Sequence, residues 1–344
     1  MRGRRALAGA AFSVASGLCF GSMAIFASAA RASGVDTPTL LLVRFAVAGA
    51  ILWLALAWKG WRRSASPARR SAADPPPPAH AGGGSGRGPA PRGSAPPRGS
   101  LLVPRGRDLL ILALMGGLGY AGQAFCFFTA LSLGSAGLTA LLLYLYPALV
   151  AILARLVFKH PLSPLQATAV ALALVGSILT VGRAGDAPLA AVFFGLLAPS
   201  IYAVYILAGS RVSPAPGSTG RTAVVVTSAA VVYGAVALTR GLALPRTALG
   251  WAAIGAIAVL CTVLAIGFFL AGLERIGPVR TSVYSTVEPA FTLVLADLFL
   301  GEETTWPRLV GGGLIVGAVL LLARADLAGA ATPAATAAPE PPSP

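Results

Sequence analysis

The sequence has little charge. Only 11% of its 344 residues are charged, against about 25% in soluble domains. That is too few to cover the surface of a soluble fold of this length. Histidine is scarcer still, with two residues, His80 and His160, so the commonest catalytic and metal-ligating side chain is missing from nearly the whole chain. The three cysteines, Cys19, Cys126 and Cys261, lie far apart inside apolar runs and show no CxxC spacing. Neither a disulfide framework nor a zinc site is indicated, and they read as small buried apolar residues. No GxxxxGK[ST] phosphate loop occurs, which argues against nucleotide drive within this chain. No cofactor is expected.

Apolar side chains are abundant: 56% of the residues are hydrophobic and the mean hydropathy is +0.79. Disorder over the whole chain is excluded, and the class that fits is a polytopic membrane protein. A helix needs about 20 apolar residues to cross the hydrocarbon core. Ten such runs are found, at about 6–30, 38–58, 108–131, 136–158, 164–182, 188–209, 221–239, 248–272, 279–300 and 306–323. All are expected to be helices, because a lone strand cannot satisfy its backbone in lipid. The first run follows a basic N-terminus and is about 25 residues long, against 7–15 for the apolar core of a signal peptide, so it reads as a retained first span.

The 26 Lys and Arg outnumber the 11 acids, giving a net charge of +15. The excess is clustered: Lys59, Arg62, Arg63, Arg69, Arg70, Arg87, Arg92, Arg98, Arg105 and Arg107 face one acid, Asp74. Basic loops beside apolar spans set membrane orientation, so the charge is not taken as a nucleic-acid footprint and no nucleic-acid partner is expected. Placing both termini in the cytoplasm puts about 20 basic residues inside, among them Lys159, Arg211, Arg221, Arg275, Arg280 and Arg324. Arg31, Arg183, Arg240, Arg246 and Arg308 then fall outside. A multi-pass protein of the plasma or inner membrane is expected. The 59–107 linker is rich in Pro, Gly, Ser, Ala and Arg and is expected to be a disordered, solvated loop. Binding of membrane lipid by its charges is the sharper alternative. The tail 324–344, rich in Ala and Pro, is expected to be disordered too.

Self-comparison reveals an internal repeat. Leu131-Ser132-Leu133-Gly134 leads to Tyr146-Pro147 and a charged hairpin at Lys159-His160, while Leu273-Glu274-Arg275-Ile276-Gly277 leads to Glu288-Pro289 and Gly301-Glu302-Glu303. The offset is about 142 residues. The chain therefore reads as five spans (6–182) duplicated as 188–323, with one inserted linker. Five is odd, so the second copy is inverted in the membrane. The fold class expected is all-α: ten transmembrane helices as two inverted five-helix repeats. Inverted repeats are a transporter feature, with the substrate site near the midplane between the halves.

These residues resemble a known family. Gly21-Ser22 in span one, Arg44-Phe45 in span two, Thr262 in span eight, Glu288-Pro289-Ala290-Phe291, Gly301-Glu302 and the Gly311 to Gly317 run resemble an EamA-type member of the drug/metabolite transporter superfamily. The resemblance covers about 11–58 and 108–323 and implies export or exchange of small metabolites, commonly amino acids. The chain departs from the family pattern at Lys159-His160-Pro161, where a Gly-Glu pair is common, and in its long linker.

An ionisable residue inside a span is a functional hypothesis by default, and Glu288 lies near the middle of span nine. Thr281, Tyr284, Ser285, Glu288 and Thr292 recur at spacings of three or four, so they share a helical face. Pro289 leaves the Ser285 carbonyl without its helical donor. The functional reading is a face lining a wet cavity, with Glu288 able to carry a proton. The alternative is a carboxyl bonding neighbouring helices. Arg44 lies roughly 9 Å into span two. It could snorkel, pair with Asp297 or reach toward Glu288, and a guanidinium fork suits a substrate carboxylate. Tyr120 and Gln123, Tyr144 and Tyr146, and Tyr202 and Tyr205 are further cavity candidates, although each alone reads more readily as interfacial belt. Gly9, Ser13, Gly17 and Gly21, and likewise Gly313 and Gly317, recur every fourth position. They indicate close helix packing, with a homodimer interface as the alternative.

The sequence thus points to a secondary transporter of a small metabolite. An intramembrane enzyme would need a nucleophile, base or metal cluster within reach. Glu288 and Asp297 would lie about 13 Å apart along a straight helix, too far to act as a pair. A passive channel is weakly disfavoured by the duplication.

Overall fold

The computed structural model describes residues 2–64, 103–134, 136–159, 162–181, 188–214, 217–300 and 305–331. Among these there is no strand. In chain order the helices are α1 (Arg2–Gly21), α2 (Met23–Ala32), α3 (Thr37–Ser64), α4 (Gly106–Leu114), α5 (Ala121–Leu133), α6 (Ala136–Leu143), α7 (Tyr146–Phe158), α8 (Pro164–Val181), α9 (Leu189–Gly209), α10 (Gly217–Arg240), α11 (Ala248–Ala258), α12 (Ala265–Ser285), α13 (Val287–Leu300) and α14 (Trp306–Ala331). Two π turns, Met115–Tyr120 and Val259–Leu264, join α4 to α5 and α11 to α12.

Seven helical segments are long and apolar enough to cross a membrane, and the longest, Ala248–Phe299, holds 52 residues and covers two of the runs expected from the sequence. Tyr146–Phe158 and Pro164–Leu179 are shorter apolar helices. The outward faces are apolar: Leu118, Leu156, Val231, Leu238 and Leu298 are each about two-thirds exposed or more. In water such surface would be a liability; against lipid tails it is the required solvent match.

Several runs expected as single helices are interrupted, each for a local reason. The first breaks at Ser22, whose hydroxyl donates back to the Cys19 carbonyl at 2.8 Å, a contact that bends helices. The fourth breaks at Tyr144 and Leu145, just ahead of Pro147 in the first turn of α7. The ninth breaks at Thr286, ahead of Pro289, and the Thr286 hydroxyl donates to the Val283 carbonyl at 2.6 Å. Proline removes a helical donor in both cases. Within α12 the chain turns at Gly277, with φ 78° and ψ 175°. That conformation suits a residue without Cβ, and it forms the joint between the eighth and ninth runs.

The edges of the linker and tail differ from expectation. α3 continues through Lys59 and Arg62 to Ser64, with the Arg62 guanidinium 4.3 Å from the Trp58 ring centroid. α14 continues past Arg324 to Ala331, through a stretch rich in Ala, the best helix former. The rest of the expected linker, 65–102, His160, the Gly301-Glu302-Glu303 hairpin and 332–344 lie outside the described residues.

The helices pair in a regular way. α1 packs along α12, α5 along α9, α3 along α10 and α8 along α14. Close approach explains the first pair. The Ser16 hydroxyl donates to the Ala265 carbonyl at 2.8 Å, and a Cβ on Gly9 would meet Ile276 at 2.6 Å. The glycine stripe of α1 is thus spent on packing within the chain. The α14 stripe is not: a Cβ on Gly313 or Gly317 would meet nothing within 4 Å. It is the neighbouring Gly311 carbonyl that lies against Gly176 of α8. The turn register decides which glycines face a neighbour.

Candidate functional site

The break at Thr286 is where the polar residues of the ninth run gather. Glu288 stands at the start of α13, half-buried, and its carboxylate makes no hydrogen bond among the described residues. One and two turns earlier, the Ser285 and Thr281 hydroxyls are buried without a hydrogen-bond partner among the described residues. Buried polar groups are normally satisfied, so two unsatisfied hydroxyls beside the Glu288 carboxylate mark a place where water or a ligand belongs. Tyr284, on the same short stretch, is 1% exposed.

The backbone at this break is approached very closely by α1. A Cβ on Gly17 would sit 2.8 Å from the Ser285 carbonyl oxygen, and one on Gly21 2.9 Å from that of Glu288. The Thr292 hydroxyl donates to the Gly21 carbonyl and to its own Glu288 carbonyl, each at 3.0 Å. Thr292 therefore faces α1 and fixes the start of α13.

The tyrosines form one interior array. The Tyr146 hydroxyl donates to the Ser282 carbonyl at 3.0 Å, tying α7 to α12. Its ring lies 5.0 Å from Tyr202, which stacks on Tyr205 at 5.8 Å, which meets Tyr120 edge-on at 6.3 Å. Tyr144, Tyr146 and Tyr205 are all buried, so the belt alternative fails for them. The Tyr144, Tyr146 and Tyr202 hydroxyls lie within electrostatic range of the Glu288 carboxylate. The array thus runs from Glu288 to Tyr120.

Arg44 stands at the far end of that array. It is 3% exposed, so it does not snorkel. Nε donates to the Thr262 hydroxyl at 3.2 Å, Nη2 to the Tyr120 hydroxyl at 3.0 Å, and Nη1 to the Met23 sulfur at 3.2 Å. It makes no ion pair with Asp297 or Glu288 among the described residues. Its guanidinium also lies 4.7 Å from the Phe45 ring centroid. Tyr120 and Thr262 each belong to a π turn, a feature frequent at functional sites, and Met23 opens α2 just after the Ser22 break. The Thr262 hydroxyl in turn donates to the Ile257 carbonyl five residues back, at 2.9 Å. One arginine therefore collects three helix irregularities.

Gln123 stays half-buried on α5 and makes no hydrogen bond among the described residues. Sequence reasoning missed Met23 as a partner and knew Thr262 only through the family resemblance. It also missed a buried ion pair, Arg221 Nη2 to Glu274 at 2.6 Å, joining α10 to α12. The glycines Gly116, Gly117 and Gly119 were the one signal that span three is irregular. A cavity of about 640 Å³ lies between that π turn and α9, lined by apolar residues with Ser200 and Tyr205; Glu288 does not line it. Among the described residues no cluster of three His, Cys, Asp or Glu is arranged to hold a metal.

A multi-pass helical membrane protein is the class that this fold and interior define. The EamA-like transporter family matches the chain twice, over residues 94–182 and 189–324. The chain belongs to the EamA-like transporter family. No curated protein matches it. A solved structure titled only as the crystal structure of a protein is similar over 92% of this chain and 98% of its own, at 18% identity and a TM-score of 0.69. That likeness concerns the fold alone.

Proposed function

We propose that the chain is a secondary active transporter that exports or exchanges small metabolites such as amino acids by alternating access. Its working parts are two five-helix halves, inverted relative to each other. Support for the halves comes from corresponding irregularities. The two π turns, and the breaks at Tyr144-Leu145 and Thr286, both recur at about the 142-residue offset of the sequence repeat. The four principal helix pairings, α1 with α12, α5 with α9, α3 with α10 and α8 with α14, are also unchanged when each run is exchanged with the run five places on. In this reading both termini are cytoplasmic, which the distribution of Lys and Arg supports.

The observation that carries the functional reading is the pair of unsatisfied buried hydroxyls, Thr281 and Ser285, with the half-buried Glu288 at a helix break beside a buried tyrosine array. Broken helices near the midplane are where transporters place substrate and coupling ions. In this reading Thr281, Ser285 and Glu288 contact the substrate, and Tyr146, Tyr202 and Tyr205 provide its amphipathic wall. Glu288 is the group placed to exchange a proton. Tyr284 and Thr292 hold the broken helix, and Gln123 contributes from α5. Arg44 closes the far end of the array and is the cation available to a substrate carboxylate.

Counterflow in proteoliposomes tests this, with a labelled panel of amino acids and other metabolites and with wild type and Glu288→Gln. Saturable exchange of one substrate class, lost in the variant, is expected. A variant that keeps full pH-driven flux removes the proton role of Glu288. No exchange across the panel by folded protein removes the substrate class.

A further inference from the structure

The apolar cavity of about 640 Å³ plays no part in the reading above, and we propose that it binds one acyl chain of a membrane phospholipid. It lies between α4 with its π turn on one side and α9 on the other. The π turn explains the opening. It draws span three against α10, so closely that a Cβ on Gly116 would collide with the Val225 carbonyl. α5 packs along α9, but α4 barely meets it. The space left between them is the cavity. Met115 and Tyr205, both buried, form its floor, where a Cβ on Gly119 would come within 3.2 Å of the Tyr205 ring.

Lining, position and length identify the occupant. Both walls belong to segments long and apolar enough to cross a membrane, Gly106–Leu133 and Leu189–Gly209. Among the lining residues Leu114, Leu118 and Val204 are 47%, 69% and 59% exposed, so the cavity is continuous with the lipid-facing surface. No charged side chain lines it among the described residues. Of its two hydroxyl-bearing residues, Ser200 already donates to the Leu196 carbonyl at 2.7 Å. Water needs about two to four polar partners, which this lining does not supply. The cavity is also long. It runs from Leu197 to Ala208 along α9, roughly 16 Å at the helical rise, against about 15 Å for one leaflet of the hydrocarbon core. An acyl chain parallel to the helices matches that length and that chemistry. It supplies the van der Waals contacts that an empty space forfeits, and Met115 is a side chain that adapts to such a partner. The chain rests on the Tyr205 ring, a member of the tyrosine array.

The test uses the full-length protein, stripped of lipid in neutral detergent and titrated with phospholipids, with bound lipid counted by native mass spectrometry. One long-chain phosphatidylcholine is expected to bind each protein chain. Phosphatidylglycerol with the same acyl chains is expected to bind equally well, and dihexanoyl phosphatidylcholine at least about tenfold more weakly. Ser200→Phe, which puts a ring into the cavity, is expected to weaken long-chain binding about tenfold. Val231→Phe, on the outward face of α10, is expected to leave it unchanged. A folded Ser200→Phe protein that binds lipid as wild type does overturns the proposal. So does a preference for one headgroup, or short-chain lipid that binds as tightly as long-chain lipid. Displacement of the lipid by a water-soluble metabolite also overturns it and gives the cavity to the substrate. A lipid-free dimer that Ser200→Phe splits overturns it as well and gives the cavity to a second copy.

Discussion

Arg44 shows how a single residue can organise several helices. Its guanidinium spends one donor on each of Thr262, Tyr120 and Met23, and among the described residues no carboxylate forms an ion pair with it. Hydrogen bonds to a charged group contribute about 1.5–3 kcal/mol each, and Lys cannot reproduce a planar fork with three separate acceptors. Arg44→Lys is therefore expected to lower the thermal midpoint in detergent, and Arg44→Gln to lower it further. An unchanged midpoint in both would mean that the three contacts carry no net energy. Residue identity was legible here but residue partnership was not. The sequence marked Arg44 and the tyrosines as unusual inside apolar runs. Nothing in the spacing indicated that Tyr120 and Thr262, 142 positions apart, would meet on one guanidinium. Tyrosines at run ends resemble an interfacial belt in one dimension, and only packing distinguishes an interior array from a belt.

At the scale of the element, the consequential features are breaks. A proline two or three residues after a hydroxyl or tyrosine gave some notice of them, at Pro147 and Pro289. The π turns gave less, because a π turn costs one extra residue and leaves hydropathy unchanged. The break at Thr286 depends on glycine at Gly17 and Gly21, where α1 rides over the Ser285 and Glu288 carbonyls. Adding a methyl group in so close a contact costs about 1–3 kcal/mol. Gly21→Ala should thus destabilise the protein, whereas Gly313→Ala, which meets open space, should not. Equal thermal midpoints for the two would show that the stripe on α1 is not a packing seam. The Arg221–Glu274 pair makes a second element-level prediction. Arg221 is 1% exposed and Glu274 23%, so Glu274→Gln strands a buried cation. The loss should be about 3 kcal/mol, the low end of the range for halving a buried pair, since Glu274 still reaches water. A thermal or denaturant measurement in detergent reads it directly.

For the whole molecule, composition and hydropathy carried the argument furthest. Scarce charge and long apolar runs gave an all-helical membrane protein, and the family match gives a transporter. The ten runs all appear as helical segments, although three are split and two are joined through Gly277. Orientation rests on Lys and Arg alone and makes its own prediction. A cysteine replacing Arg246, in the turn whose backbone N–H donates to the Ser33 carbonyl at 3.0 Å, should react with a membrane-impermeant reagent from outside intact cells. One replacing Lys159 should react only after the membrane is opened. The reverse pattern would invert the topology.

The central claim is that the two halves expose one interior site alternately. Trans-stimulation tests it most directly, once an exchanged substrate is in hand. Labelled substrate is supplied outside proteoliposomes that are either empty or loaded with the unlabelled compound, with wild type and Glu288→Gln. The account predicts saturable uptake that is faster into loaded vesicles, and its loss in the variant. Uptake that never saturates and ignores the internal compound would describe a channel and contradict alternation.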